Sequence, residues 1–306
     1  MTRPVDLLTL DELIALRHTA KGMDVLPQRV YSSWSGDQRS PFKGRGMEFS
    51  ETRAYQAGDE IRHMEWRVMA RTGKPHVKLF REERERAVLL WSDCRRPMFH
   101  ATRGRLKVAQ AARAATLAAW SAVQKGNRLG GLLFAEQNHR ELRPTLGDRA
   151  VLEWIRSLLQ FTTDHAAKPI PQSTLQQPLM RLRRVALPGS AIFLFSDFRG
   201  LEPEDHAHLA QLARHNDVTL FFIHDPLEQE LPPSGGRYPV ALPNTMRPAL
   251  LHVDDPKVRQ SHAARFVARQ EGLRTLCRTI GARFLSCSTA EDAPTLLLRH
   301  LNGHVS

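Results

Sequence analysis

Cysteine is scarce in this chain: three residues, Cys94, Cys277 and Cys287, among 306. They cannot all pair, and none stands in C-x-x-C spacing, so no disulfide framework or zinc site organises the fold. Such thiols suit a reducing cytosol. Long apolar runs are missing too. The longest, such as residues 191–195 and 218–223, have the length of strands and fall far short of a membrane span. The opening MTRPVDLLTLDELIALRH sets acids among its leucines and offers no small-residue cleavage site. No secretory signal is read there, and a cytoplasmic location is expected. No glycine-rich phosphate loop, H-E-x-x-H helix or nucleophile elbow occurs, which removes the enzyme classes those motifs mark.

Charge is plentiful and unevenly placed. The chain carries a formal net charge of +12. Lys+Arg against Asp+Glu count 6 and 5 in residues 1–43, 10 and 9 in 44–93, 16 and 5 in 94–189, and 12 and 13 in 190–306. Nearly the whole excess therefore lies in the middle third. A basic face there would attract an acidic protein, an anionic membrane surface or nucleic acid; a solubilising helix surface explains it equally well. The aromatics of that third (Phe99, Trp120, Phe134, Trp154, Phe161) sit in helix or strand patterns rather than among the charges. That argues against stacking on single strands.

Residues 9–18 open as a helix with Thr9 as N-cap and Glu12 closing a capping box. Residues 47–55 and 77–80 read as strands, with the Gly58-Asp59 turn between them. Residues 87–92 form an apolar strand ending on Asp93. A long alanine-rich helix follows over 105–125, with Lys107, Gln110 and Arg113 off its apolar side. Then come a strand at 129–134, helices at 146–161 and 174–184, and a strand at 190–196 that ends on Asp197. A helix at 203–214, a strand at 218–224, a helix at 257–280, a strand at 282–287 and a helix at 294–301 complete the order. Residues 226–255 are Pro/Gly-rich and read as a surface excursion with a hairpin near Gly235-Gly236. This alternation predicts an α/β fold: a doubly wound, mostly parallel sheet over residues 87–306, preceded by a helix and a β-rich segment in 1–86.

Within residues 44–93, one pattern is specific: Arg53-x-Tyr55-x-x-Gly58-Asp59-x-x-Arg62, then Glu65-Trp66, Ala70-Arg71, and Phe80-Arg81-Glu82-Glu83. It resembles the bacterial domain-of-unknown-function-58 family. That family usually has Asp before the Trp, where this chain has Glu65. The densely alternating signs suit a lattice of paired charges among Arg53, Asp59, Arg62, Glu65 and Arg71 better than a catalytic group. The resemblance implies a von Willebrand factor A-like fold and association with a MoxR-type AAA+ ATPase.

It also implies a place for a metal-ion-dependent adhesion site: an Asp-x-Ser-x-Ser loop, a distant Thr and a distant Asp, hard oxygens suited to Mg²⁺. Asp93 matches the first Asp, Asp197 the last, and Thr174 is a candidate for the Thr. The two serines fall on Arg95 and Pro97, so half of the oxygen set is lost. At roughly 6 Å and an effective dielectric near 20, a unit charge repels a dication by ~5 kcal/mol, comparable with a weak Mg²⁺ site. The expectation is that Arg95 or Arg96 pairs with Asp93 or Asp197 and stands where the cation would. Weak Mg²⁺ binding through Asp93 and Asp197 is the alternative. The chain is then read as a non-enzymatic interaction module that meets a MoxR-type ATPase or other proteins with acidic surfaces. Two other readings stay open: a metal-assisted hydrolase using Asp93, Asp197 and Asp59, and a nucleic-acid binder acting through residues 94–189.

Overall fold

The structure is a computed structural model that describes residues 8–23, 47–56, 64–82, 85–102, 105–163, 174–233, 236–240 and 249–302. The chain divides into two compact units, one made of Met1–Gln28 with Arg86–Ser306 and the other of Arg29–Glu85. The first helix, Leu10–Thr19 (α1), therefore belongs with the sheet and not with the β-rich segment, contrary to the grouping of residues 1–86. Half of its capping box forms: the Thr9 hydroxyl accepts from the Glu12 N–H at 3.3 Å, while the Glu12 carboxylate pairs with Arg113. Its burial supplies the reason for the regrouping. Leu13 is buried, and its carbonyl takes the Trp120 indole N–H at 3.1 Å.

The smaller unit pairs Met47–Ala54 (β1) antiparallel with His76–Glu82 (β2), with an irregularity between Phe49 and Glu51. Trp66–Thr72 (α2) lies between them in sequence, a short helix that the apolar spacing did not announce. It ends on Gly73, whose left-handed φ of 69° closes the last turn.

The larger unit runs through Ala87–Asp93 (β3), Lys107–Gln124 (α3), Arg128–Phe134 (β4), His139–Thr145 (β5), Asp148–Thr163 (α4), Gln176–Val185 (α5) and Ala191–Ser196 (β6). It continues with Pro203–His215 (α6), Asp217–His224 (β7), Pro226–Gln229 (α7), Arg237–Val240 (β8), Ala249–His252 (β9), Pro256–Ile280 (α8), Arg283–Ser288 (β10) and Ala293–Asn302 (α9). Its six-stranded sheet has the order β10-β7-β6-β3-β4-β5, parallel except for β5. The sheet is doubly wound, as the strand–helix alternation predicts.

Period-two alternation sends each strand's residues to two cores. Val88, Leu90, Phe193, Phe195, Phe221 and Ile223 face a layer holding Leu13, Trp120, Trp154 and Leu297. Leu89, Trp91, Ile192, Leu194, Leu220 and Phe222 face the other, with Leu179, Leu182, Leu209, Leu212, Phe266 and Leu273. With both faces covered, these strands read as unbroken apolar runs.

Three features differ from expectation. Strand β5 was not anticipated, because HRELRPT has Leu142 as its one apolar residue and contains Pro144. It is an edge strand of alternating exposure, where proline is tolerated. Helix α3 is buried from Lys107 through Ala122, with Lys107, Gln110 and Arg113 inside. Helices α1, α4 and α9 pack on it in addition to the sheet, so it has no solvent face of the usual width. The hairpin of the Pro/Gly-rich excursion is β8 with β9, and it begins after Gly236 rather than turning on it.

Arg86, at the foot of β3, ties the amino ends of three strands. Its guanidinium donates to the Gly189 carbonyl at 2.6 Å and the Ser190 carbonyl at 3.0 Å, and it pairs with Asp217. In the middle of the sheet, β4 needs its glycines. A Cβ on Gly131 would lie 2.1 Å from the Leu90 carbonyl oxygen, and one on Gly130 would lie 2.6 Å from that of Leu142. Gly131→Ala is expected to cost about 3 kcal/mol or more in urea unfolding. The same change at Gly272, inside α8 with nothing within 4 Å of an added Cβ, should instead stabilise by roughly 0.5–1 kcal/mol.

Candidate functional site

Three neighbouring parallel strands deliver acids: Asp93 is the last residue of β3, and Asp197 and Asp225 directly follow β6 and β7. Ser92 of β3 stands opposite Phe195 of β6, and Phe195 opposite Phe221 of β7, so Asp93, Asp197 and Asp225 arrive at one carboxyl edge. All three are fully buried. An ionised carboxylate taken out of water needs charge or several donors around it. The three are satisfied in three ways.

Asp93 is held by Arg95. The guanidinium lies on it in a fork, Nε to Oδ1 at 2.9 Å and Nη2 to Oδ2 at 2.7 Å, while the Arg95 backbone N–H donates to Oδ1 at 3.0 Å. The Ser196 hydroxyl donates to Oδ2 at 2.6 Å. Arg95 has turned inward: its side chain is 3% exposed, near the Phe134 ring, and Nη2 also reaches the Arg199 carbonyl at 3.0 Å. Burial alone would lower its pKa, but Asp93, with Asp197 and Glu136 behind it, reverses that and leaves it raised.

Asp197 is held by Lys107 and Arg199. The Lys107 ammonium sits 2.7 Å from Asp197 Oδ2 and 2.8 Å from Glu228 Oε1. The Arg199 backbone N–H donates to Asp197 Oδ1 at 3.0 Å, and its guanidinium spans Asp197 at 3.3 Å and Glu228 at 2.9 Å. Arg269 approaches Glu228 Oε2 at 3.6 Å. Burial would raise the carboxyls of Asp197 and Glu228, yet Lys107 and Arg199 hold both below their ordinary range. Next to Asp197, Phe198 takes a φ of 51°, a left-handed backbone costing a bulky residue about 1–2 kcal/mol. That turn lets its N–H reach the Ser196 hydroxyl at 2.9 Å.

Asp225 has uncharged donors: the Thr102 N–H at 2.9 Å and its hydroxyl, the Thr289 hydroxyl at 3.0 Å, and the Leu227 N–H at 3.0 Å.

Of the residues named from sequence, Asp93, Arg95 and Asp197 meet at this edge. Arg96 is beside it, exposed, its backbone N–H on Glu136 at 2.6 Å. Thr174 is exposed, just ahead of α5; the hydroxyl that reaches Asp93 is that of Ser196. In the smaller unit, the Arg53 guanidinium donates to the Ala54 carbonyl at 3.1 Å, and the Tyr55 N–H to the Pro75 carbonyl at 2.9 Å. The Glu65 N–H donates to the His76 carbonyl at 2.8 Å, while Trp66 and Arg71 are exposed on α2. Gly58, Asp59 and Arg62 lie outside the described residues. Cys94 is followed in sequence by Arg95 and Arg96, a setting that favours a thiolate. It is buried, and desolvation pushes its pKa up instead.

Sequence reasoning missed Lys107, Ser196, Arg199, Asp225 and Glu228. Asp225 carried the same strand-then-acid signal as Asp93. Lys107 carried a subtler one, a cation in the first turn of a helix, where the macrodipole disfavours it.

The fit to a divalent cation follows from these contacts. Every oxygen of Asp93 and Asp197 already accepts from a protein donor, and three cations, Arg95, Lys107 and Arg199, pair with them. An Mg²⁺ shell needs those oxygens free and the cations elsewhere. Among the described residues, no group of three or more His, Cys, Asp or Glu is placed to hold a metal.

The family model "Protein of unknown function DUF58" matches residues 51–272. The chain belongs to the DUF58 family. DUF58 relatives include the uncharacterized protein Rv1480 of Mycobacterium tuberculosis, 28% identical over 270 residues, covering 87% of this chain and 82% of that one. The uncharacterized protein Mb1516 of Mycobacterium bovis matches with the same figures. Among solved structures, this DUF58 chain is similar to a conserved hypothetical protein BatB from Bacteroides thetaiotaomicron (TM-score 0.42, 11% identity, 71% of this chain and 97% of that one). It is also similar to the SpRpn10 VWA domain (TM-score 0.32, 11% identity, 73% and 100%). The strand order, with one antiparallel edge, is itself the von Willebrand A-like arrangement. Among the described residues, no helix is long and apolar enough to cross a membrane.

The depressed carboxyls of Asp197 and Glu228 fix the sign of a pH effect. The unfolded chain takes up protons near the ordinary values of 3.8 and 4.5, which the folded chain still refuses. Their stabilisation is therefore complete above those values and lost as pH falls through the lower folded ones. Urea unfolding followed from neutral to acid pH should show stability falling below about pH 4.5. Lys107→Met should cost about 3–5 kcal/mol at neutral pH, by leaving buried carboxylates underpaired, and should flatten that acid limb.

Proposed function

We propose that this chain is a protein-interaction module whose carboxyl strand edge takes an acidic side chain from a partner without a bridging divalent cation. In this reading the edge is a degenerate metal-ion-dependent adhesion site, with Arg95, Lys107 and Arg199 supplying the positive charge. The carrying observation is the Lys107 ammonium, buried between Asp197 and Glu228 at 2.7 and 2.8 Å. A cation belonging to the chain already bridges two acids there, as a metal would.

The resemblance of residues 53–83 names the partner class, a MoxR-type AAA+ ATPase, and a role in maturation or assembly of other proteins. A non-enzymatic role is supported by the state of the groups at the edge. Asp197 and Glu228 are held ionised by cations, and the Cys94 thiol is held protonated by burial. Nothing in that set is poised to exchange a proton near neutral pH. The accessible part of the edge is basic: the Arg199 side chain is 48% exposed, and Arg96 is exposed beside it.

Titration of the purified chain with Mg²⁺ should give no saturable heat up to millimolar concentration. Capture from native lysate, with mass spectrometry, should recover an AAA+ ATPase, and the double variant Arg96→Glu/Arg199→Glu should lose it. Saturable Mg²⁺ binding abolished by Asp93→Ala would sink the metal-free reading. Recovery of nucleic acid alone, with a steep fall of affinity in salt, would sink the adaptor.

A further inference from the structure

Glu228 is part of the chain, yet its carboxylate sits on the cation group as an incoming ligand would. Lys107, Arg199 and Arg269 surround it, with Asp197 as the second acid: three cations to two carboxylates. Helix α3 adds to the positive side, because Lys107 is its first residue and its first turn holds no acid. The occupant fills the place imperfectly. Glu228 Oε1 takes both Lys107 and Arg199, but Oε2 is buried and has no hydrogen-bond partner. Arg269 Nη2 stops 3.6 Å from it, and Arg269 Nε is buried without a partner as well. Arg269 is held there by the rings of Phe222 and Phe266, at 5.3 and 5.9 Å. A structural salt bridge refined for stability would satisfy those atoms.

The element that carries Glu228 is slight. It is α7, Pro226–Gln229, a single turn between the end of β7 and Pro232-Pro233. Its attachments are the Asp225 cap, the His262 ring on the Leu227 carbonyl at 2.9 Å, and the buried Leu231.

We infer that Lys107, Arg199 and Arg269 form a receptor for one carboxylate, that Glu228 is its resident occupant, and that a glutamate or aspartate side chain on an acidic protein segment exchanges with it. This rests on the proposed use of the edge as an acid-binding surface and adds its regulation. The resident acid lowers a partner's apparent affinity by the fraction of time the receptor stands open. Arg199, half exposed, is the cation an incoming acid meets first.

Glu228→Ala and Glu228→Gln test it, the second keeping the side chain's volume if the first folds poorly. Acetate at constant ionic strength should raise the melting temperature of Glu228→Ala in a saturable way and leave the wild type unmoved, while chloride does neither. A fluorescein-labelled oligoglutamate peptide should bind either variant about tenfold or more tighter than it binds the wild type, and Arg269→Met added to the variant should remove the gain. Equal peptide affinity in Glu228→Gln and wild type, or no acetate effect on a folded Glu228→Ala, overturns the inference. The two proposals separate cleanly. ATPase capture that depends on Arg199 but ignores Glu228 overturns the resident-acid idea alone. Acetate rescue and peptide gain without ATPase capture support the receptor and overturn the named partner.

Discussion

An acid delivered by a strand that is buried on both faces arrives in a place without water. β3, β6 and β7 each do this, and the loops after them are arranged around the need to neutralise or hydrogen-bond the resulting carboxylates. The Arg95 loop folds inward instead of outward because Asp93 would otherwise be unpaired. α3 begins on a lysine against its own dipole because Asp197 and Glu228 require a cation at that spot. Phe198 accepts a left-handed backbone because Ser196 needs its N–H while donating to Asp93. Each of these local oddities is costly in isolation. Together they describe one electrostatic condition.

The three solutions are not equivalent. Asp225, wrapped by threonine hydroxyls and backbone N–H groups, has a closed shell and a positioning role at the start of α7. Asp93 in its guanidinium fork is similarly saturated. The group around Asp197 and Glu228 is the unbalanced one, with an extra cation and two orphaned polar atoms. That imbalance is where the sheet edge has chemistry to spare.

Much of the fold was legible in the sequence because its determinants are local. Apolar strand runs, the Thr9 cap, glycine stops and helix periodicity each speak for themselves. β5 was silent because an edge strand beside solvent needs few apolar residues, here Leu142 alone, and Pro144 contradicts the usual strand signal. The site was half legible. Asp93, Asp197 and Arg95 announce themselves, since a strand-end acid and a cation two residues later must be reconciled. Lys107 was placed off the apolar side of α3, yet alanines at 109, 111, 112, 114, 115, 118, 119 and 122 occur on every side of that helix and imply neighbours on every side. Glu228 lay hidden in a Pro-rich stretch, where nothing in composition separates a lever from a linker. Ser196 and Arg199 act through geometry across strands, which no spacing along the chain reveals.

The sheet unit is not continuous in sequence: α1 precedes the smaller unit, and everything else in the larger one follows it. Leu13 and the tryptophan that seals its carbonyl are 107 positions apart. During synthesis α1 leaves the ribosome well before its docking helix exists, so its leucines stay without a home while the intervening segment emerges. Closing so long a gap carries an entropic cost that rises only slowly with length, but it delays the contact kinetically. The amino-terminal helix therefore waits for α3 with apolar surface uncovered, and while it waits that surface is one a chaperone can hold.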